Sequence, residues 1–313
     1  MGISDNLLET IQDQNTFLTN LVQRSKLQAP FADFVAPPFR VRLEAGKYVR
    51  YTDDIYRVYE NKIIGRQEAR EIQWDVEEET YACEEYGLSK FVSDKSKEQS
   101  IAPINLEAEA AMRVKEYQAK ARAYRVSQIS HSAAIVTQTL DLNGSWATAA
   151  GTPVSDILNA MATVEAAVGV IPNRILVPTQ VALNMLQTTE WKTYFVNAGN
   201  YNFVQNGAFS ILGGLKQMGL EPLVTGARGL STYKCTASDP TSESLLSDSV
   251  LLFYCEPNPS TDCLSFMYSP YVYMDVVTRT RVPRRRGVFI DIYEDIDELL
   301  IEANCGYLFT DAI

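Results

Sequence analysis

The chain has 313 residues, 46% of them hydrophobic, with a net charge of -11 and an isoelectric point near 4.8. That length and apolar content fill one large or two ordinary domains, while the acidic balance opposes a dedicated nucleic-acid binder, since phosphate neutralisation needs clustered Lys and Arg. The sequence has no uncharged apolar run of about 18 residues and no basic start followed by an apolar middle, so neither a membrane span nor a secretory leader is predicted.

Residues 3–22 place Leu7, Leu8, Ile11, Leu18 and Leu21 at helical spacing behind Ser4 and Asp5, which reads as an amphipathic arm whose apolar stripe needs a partner. Removing residues 1–22 is expected to leave a folded subunit that associates poorly. The following QAPFADFVAPPF carries three prolines and is predicted to be extended. From Phe39 the period changes to two, Phe39, Val41 and Leu43 alternating with Arg40, Arg42 and Glu44, with Gly46 marking a turn. Tyrosine-rich, charged sequence continues from Tyr48, so residues 39–80 form a long two-sided hairpin or loop, which is marginal by itself and needs another molecule.

Thr80–Val92 is denser and is broken at Gly87, and Pro103 and Asn105 announce a helix of about 24 residues. Its expected apolar stripe is Leu106, Ala110, Val114, Tyr117, Ala121 and Tyr124. The stretch GSWATAAGTPVSDIL, Gly144–Leu158, leads into a second helix with Thr152 as cap and Pro153 at its first position, ending at Gly169. PNRILVP is a short apolar strand, Thr179–Leu186 a short helix, and strand signals recur at 222–225, 250–254, 264–268, 272–281 and 287–293. The class is α+β, without a regular βαβ repeat.

Chemistry is scarce. The Gly144–Gly151 stretch has the outline of a phosphate cradle but no following Lys, and Pro153 removes an amide. His131 is the single histidine, without Asp or Glu within nine residues, which removes most hydrolase and zinc geometries. The five cysteines have no CxxC pair and read as reduced small hydrophobes. Acidic runs such as Asp75–Glu79 look solvated, lack the asymmetric surroundings of an acid–base pair, and lack the turn glycine of a calcium loop. No catalytic, cofactor-binding or metal-ligating residue is therefore predicted. RTRVPRRRG holds five of the ten Lys and Arg residues after position 130. Guanidinium forks favour carboxylates, so Arg284, Arg285 and Arg286 are expected to meet an acidic run on a neighbour, such as Asp75, Glu77, Glu78 and Glu79.

The order of arm, tether, hairpin, YACEEYGL (Tyr81–Leu88), long helix and WATAAGTPVSDIL…PNRILVP resembles the major capsid proteins of tailed phages, the Hong Kong 97 fold. Trp146, Pro153, Asp156, Gly169, Pro172 and Asn173 carry most of the likeness. The resemblance implies an N-arm at 1–38 and an E-loop at 39–80. It also implies a peripheral domain with a spine helix at 81–130 and 266–293, and an axial domain at 131–265 and 294–313. It further implies a non-enzymatic shell protein of hexamers and pentamers around double-stranded DNA, found in the virion and, before assembly, in the host cytoplasm. The implied partners are other copies of the chain, a portal protein, possible decoration proteins, DNA bound non-specifically and, since no long extra segment precedes the arm, a separate scaffolding protein. No membrane is implied, and covalent Lys–Asn crosslinks are not expected. An encapsulin-like nanocompartment shell and, from another class, a carboxylate-dependent enzyme are the alternatives.

Overall fold

The computed structural model describes residues 18–20, 22, 31–51, 62, 76–98, 106–197, 208–225, 233–234, 243–260 and 263–313. Leu7, Leu8 and Ile11 of the expected arm and Asp75 of the hairpin lie outside the described residues. The helices are α1 (Phe31–Val35), α2 (Asp94–Glu98), α3 (Leu106–Ser130), α4 (Pro153–Val168), α5 (Thr179–Met185), α6 (Thr189–Asn197) and α7 (Ala208–Gln217). The strands begin with β1 (Pro38–Arg40), β2 (Ala45–Tyr51), β3 (Val76–Ala82), β4 (Glu84–Ser93), β5 (Gln138–Asp141), β6 (Arg174–Pro178) and β7 (Glu221–Thr225). They continue with β8 (Tyr233–Lys234), β9 (Glu243–Ser244), β10 (Val250–Phe253), β11 (Met267–Val282), β12 (Gly287–Ile296), β13 (Leu299–Leu300) and β14 (Gly306–Thr310).

Two sheets organise the chain. The first has the order β1-β11-β12-β4, with β13 added to β11, and the second runs β5-β14-β10-β6-β7. The chain thus leaves the first sheet after β4, builds four strands of the second, returns for β11–β13 and ends in the second with β14. The pair β2–β3 stands apart as an antiparallel hairpin base, Ala45 opposite Ala82 through Tyr51 opposite Val76.

Strand β10, VLLF, has no polar alternation because both faces of its sheet are covered. Val250 and Leu252 enter a core with Trp146, Ile157, Val181 and Ile211, while Leu251 and Phe253 enter another with Phe31, Val35 and Tyr268. The period of two sends Ile175 and Val177 of β6 to the first core and Leu176 to the second.

In the other sheet, Val288, Ile290 and Ile292 of β12 and Val277 of β11 pack beneath Ala110, Ala111 and Val114 of α3. Leu18 and Val22 are buried in that same cluster, and Lys115 Nζ donates to the Val22 carbonyl at 2.7 Å. The end of the arm is therefore covered by its own subunit. A deletion through residue 22 would remove core side chains, so a truncation that tests the arm stops at residue 16.

Several local expectations change. Phe31–Val35 is helical rather than extended: Pro30 stands just before the helix, where its missing N–H costs nothing, and Phe31, Ala32 and Val35 are buried. Gly46 lies inside β2 rather than at a turn, and Gly87 lies mid-strand in β4. There the Tyr293 ring occupies the space of a side chain, since a Cβ would meet Cδ1 at 2.8 Å. The two expected strands 264–268 and 272–281 are one strand, β11, whose register shifts between Tyr271 and Val276. Asp275 at this bulge has φ 56 and pairs with Lys115 of α3 at 3.0 Å, so the irregularity re-aims a carboxylate at the helix.

The long helix forms as expected over 25 residues, and the first half of the expected stripe is buried at Ala110 and Val114, but its second half is not. Tyr117 is 60% and Tyr124 41% exposed, while Gln118 and Arg122 are buried. Polar groups can occupy that face because partners wait there. Arg122 forms an ion pair with Asp33 and donates to the Ala36 carbonyl at 3.0 Å. Gln118 donates to the Tyr86 carbonyl at 3.3 Å, and Arg125 grips Glu298 through contacts of 2.8–3.1 Å.

Candidate assembly surfaces and the junction loop

The Gly144–Leu158 stretch is a joint with its anion site already filled. Trp146 sits in a short 3-10 turn, fully buried, stacked against Phe309 at 5.2 Å, with Nε1 donating to Asp156 Oδ2 at 2.9 Å. Gly151 allows the loop to close, since a Cβ there would meet the Ser145 carbonyl oxygen at 2.5 Å. Thr152 holds the cap position of α4 without a side-chain cap. Its role falls to Glu190 of α6, whose carboxylate accepts from Val154 N at 2.8 Å and Ser155 N at 3.2 Å. The free amides and positive end of a helix are the groups a bound anion would use, and here a side chain takes them. Glu190→Ala is expected to cost about 1–2 kcal/mol in urea unfolding by uncapping α4; an unchanged midpoint would show that water replaces the carboxylate at no loss.

Other chemistry-bearing residues are similarly committed. His131 Nδ1 lies 2.8 Å from Ser130 Oγ, its ring packs near Phe31, and burial pushes its pKa down to about 4, so it is a neutral packing group. Burial pushes Cys83 and Cys305 up to about 12 and raises Cys255, which suppresses the thiolates that would react.

The β11–β12 hairpin ends in a 3-10 turn, Pro283–Arg285, and Arg286 follows at φ 48. Arg284, Arg285 and Arg286 are all exposed there, with Arg285 set 5.8 Å from the Phe289 ring centroid. Beside the turn, Asp94 donates its amide to the Arg286 carbonyl, while its carboxylate already binds Arg281 at 3.1 Å.

Of the hairpin carboxylates, Glu77 is opposite Arg50 in the β2–β3 ladder, Glu78 binds Lys47 at 2.5 Å, and Glu79 accepts from the Tyr48 hydroxyl. Lys47 and Glu78 are diagonal neighbours across the ladder, a pairing legible only once the register is known. Within one subunit, among the described residues, no ion pair joins the arginine turn to Glu78 or Glu79. Sequence reading missed Glu190 and Arg125, whose partners lie 35 and 173 residues away and leave no local signal.

The face of the first sheet opposite α3 carries Phe289, Asp291, Tyr293 and Asp295 of β12. The register aligns them with Phe91, Ser89, Gly87 and Glu85 of β4 and with Thr280, Thr278, Val276 and Tyr273 of β11. A shallow depression of about 320 Å³ opens there between Glu85, Ser89, Asp291 and Tyr293.

This architecture recurs in known structures. A phage-related protein from Bordetella bronchiseptica superposes with a TM-score of 0.72 at 18% identity, over 95% of this chain and 96% of that one. The capsid structure of cyanophage P-SCSP1u gives 0.57 at 9% identity over 89% and 86% of the two chains. The mature capsid of bacteriophage PhiM1 gives 0.55 at 10% over 91% and 88%. No protein-family model and no curated protein matches the sequence. The chain has the α+β fold of phage capsid subunits, the Hong Kong 97-type fold that the resemblance implied.

Proposed function

We propose that this chain is the major capsid protein of a tailed phage, a non-enzymatic subunit that assembles as hexamers and pentamers into an icosahedral shell around double-stranded DNA. The observation that carries this reading is that the likeness to capsid structures runs through most of both chains, 89% and 86% for the cyanophage capsid and 91% and 88% for the PhiM1 capsid. A likeness of that extent belongs to the whole layout rather than to one shared motif. The charge fits the role. A net charge of -11 keeps a container from gripping the polyanion it must release.

In this reading residues 1–38 are the N-arm and 39–80 the E-loop. Residues 81–130 and 266–293 form the peripheral domain around α3, and 131–265 and 294–313 the axial domain. Residues 294–300 still pair with the peripheral strands, so the return to the axial unit falls between Leu300 and β14. The junction loop enters the axial domain. Leu7, Leu8 and Ile11, the hairpin carboxylates Asp75, Glu77, Glu78 and Glu79, and the arginine turn are contacts between subunits. Scaffolding and portal proteins, decoration proteins and non-specifically held DNA complete the partners, with the subunit in the host cytoplasm before assembly and in the virion after it.

Sedimentation and negative-stain electron microscopy of the purified chain, alone and with a candidate scaffold, test this. Shells, or hexamers and pentamers that scaffold converts to shells, are expected. A monomer or small dimer under every condition would refute it. Deleting residues 1–16 is expected to leave a subunit with unchanged unfolding but few particles, because it removes Leu7, Leu8 and Ile11 and leaves the buried Leu18 and Val22 in place; normal particles from the truncation would remove the arm from the assembly contacts.

A further inference from the structure

The first sheet separates charge along its length. At one end of the β11–β12 hairpin stand Arg284, Arg285 and Arg286, exposed and, among the described residues, in no ion pair. At the other end, on the face opposite α3, Asp295 is 4% exposed and aligned with Glu85 and Tyr273 across the ladders. Its charged neighbours are two further carboxylates, Glu44 and Glu85, both exposed. Among the described residues no hydrogen bond or ion pair reaches Asp295. Burial first, then Glu44 and Glu85, raise its pKa. Glu85 accepts from the Tyr273 hydroxyl at 3.0 Å, which orients one oxygen and adds no positive charge. A covered carboxylate facing two others is unfavourable in the isolated subunit and calls for a cation.

No group of three His, Cys, Asp or Glu among the described residues has the arrangement of a metal site, so the complement is an organic cation. The same chain carries one. A guanidinium presents a planar fork of donors suited to carboxylates and tolerates partial desolvation better than an ammonium. The turn cannot reach the cluster of its own subunit. Nine residue steps along β12 lead from Arg286 to Asp295, about 30 Å at about 3.3 Å per residue, several times the length of an arginine side chain.

We propose that the arginine turn of one subunit seats in the Glu44–Glu85–Asp295 cluster of a second copy. The contact rests on the capsid reading above for its setting and supplies the acceptor for the turn. Glu78 and Glu79 are less suited, being already bound to Lys47 and Tyr48. Because donor and acceptor are different patches, the contact is heterologous and repeats until a ring closes. It leaves one turn and one cluster open on any incomplete chain of subunits.

The test compares the wild-type chain with Arg284→Glu/Arg285→Glu/Arg286→Glu, with Glu44→Lys/Glu85→Lys, and with the combination, by sedimentation and electron microscopy at low and high salt. Each reversal alone is expected to raise the subunit concentration needed for association at least about tenfold, and the combination to restore much of it. Asp295→Asn adds a readout that a merely structural residue would not produce. Removing an uncompensated buried charge is expected to make the lone subunit more resistant to urea while weakening association. Wild-type shells with both reversals assembling normally, or a combination no better than either half, would overturn the contact and leave the capsid reading standing. Salt-sensitive association abolished by the reversals, without shells under any condition, would uphold the contact and remove the capsid reading. A wild-type chain that never associates would remove both.

Discussion

Replacing Trp146 by alanine is expected to destabilise the subunit by about 3–5 kcal/mol, the range for deleting a large buried aromatic side chain. Trp146 is wholly buried between Val154, Ile157 and Phe309, in the core that also holds β6 and β10. Two losses add. The cavity forfeits packing, and Asp156 Oδ2 loses the indole donor at 2.9 Å, keeping only the longer approach of Thr152 Oγ1 at 3.3 Å. Trp146→Phe keeps most of the ring contact and removes the donor, so about 1–2 kcal/mol is expected. Urea unfolding of both variants separates the terms. A cost below about 1 kcal/mol for Trp146→Ala would mean that the loop is not anchored through its tryptophan. The effect on assembly would then follow from the entry into the second sheet, since the same loop positions α4 and hence β6.

Arg125→Ala is the second large effect. The guanidinium holds Glu298 with one fork, through Nε and Nη2, lies 3.6 Å from Glu294, and stacks 3.7 Å from the Tyr86 ring centroid. The side chains of Glu294 and Glu298 are 4% and 6% exposed. Removing the cation leaves Glu298 without its fork and Glu294 with Arg122 alone, and breaking a buried pair in this way costs about 3–5 kcal/mol. Burial already holds the Glu294 carboxyl above the usual carboxylate range, with Arg122 and Arg125 opposing the rise. A carboxyl raised in the folded state penalises folding at pH above its unfolded value, and the penalty fades as pH falls through the folded value. The deficit of Arg125→Ala is therefore expected to be largest near pH 7 and to narrow toward pH 5. A deficit independent of pH would assign the loss to the Tyr86 stacking instead. Arg125→Lys, which keeps the charge without fork or plane, should fall between.

Much of the layout was legible in the residues. Capping signals delimited α4, with Pro153 at its first position and Gly169 closing it in the left-handed region at φ 76. RILVP was readable as a strand because both of its faces are apolar, and the 25-residue helix because nothing in 106–130 interrupts it. The junction loop showed its nature by what it lacks, a basic residue. Its actual anion, Glu190, was not visible, since a residue 35 positions downstream becomes a cap only after α6 folds back on α4.

The second half of the long helix's buried face was misassigned for the same reason, while Ala110 and Val114 of the first half are buried as expected. Periodicity counts apolar side chains and so chose Tyr117 and Tyr124, but burial depends on what the partner surface can satisfy. Carboxylates and carbonyls from β4, β12, α1 and the chain after β12 made Gln118, Arg122 and Arg125 the buried or half-buried set. Gly87 likewise read as a break, because a glycine in sequence is indistinguishable from one that yields its space to the Tyr293 ring.

By itself, then, the sequence determined the long helix, the capped helix α4 and the strand RILVP, and that the chain is acidic. These follow from short-range patterns of charge, size and backbone freedom. Only the tertiary structure decided which charges are satisfied within the subunit and which are left over. Glu78, Glu107 and Glu298 find cations, while among the described residues Asp295 meets no cation and the arginine turn no carboxylate. The reason is physical: charges interact through space, and strand register, rather than separation along the chain, sets the distances that decide them.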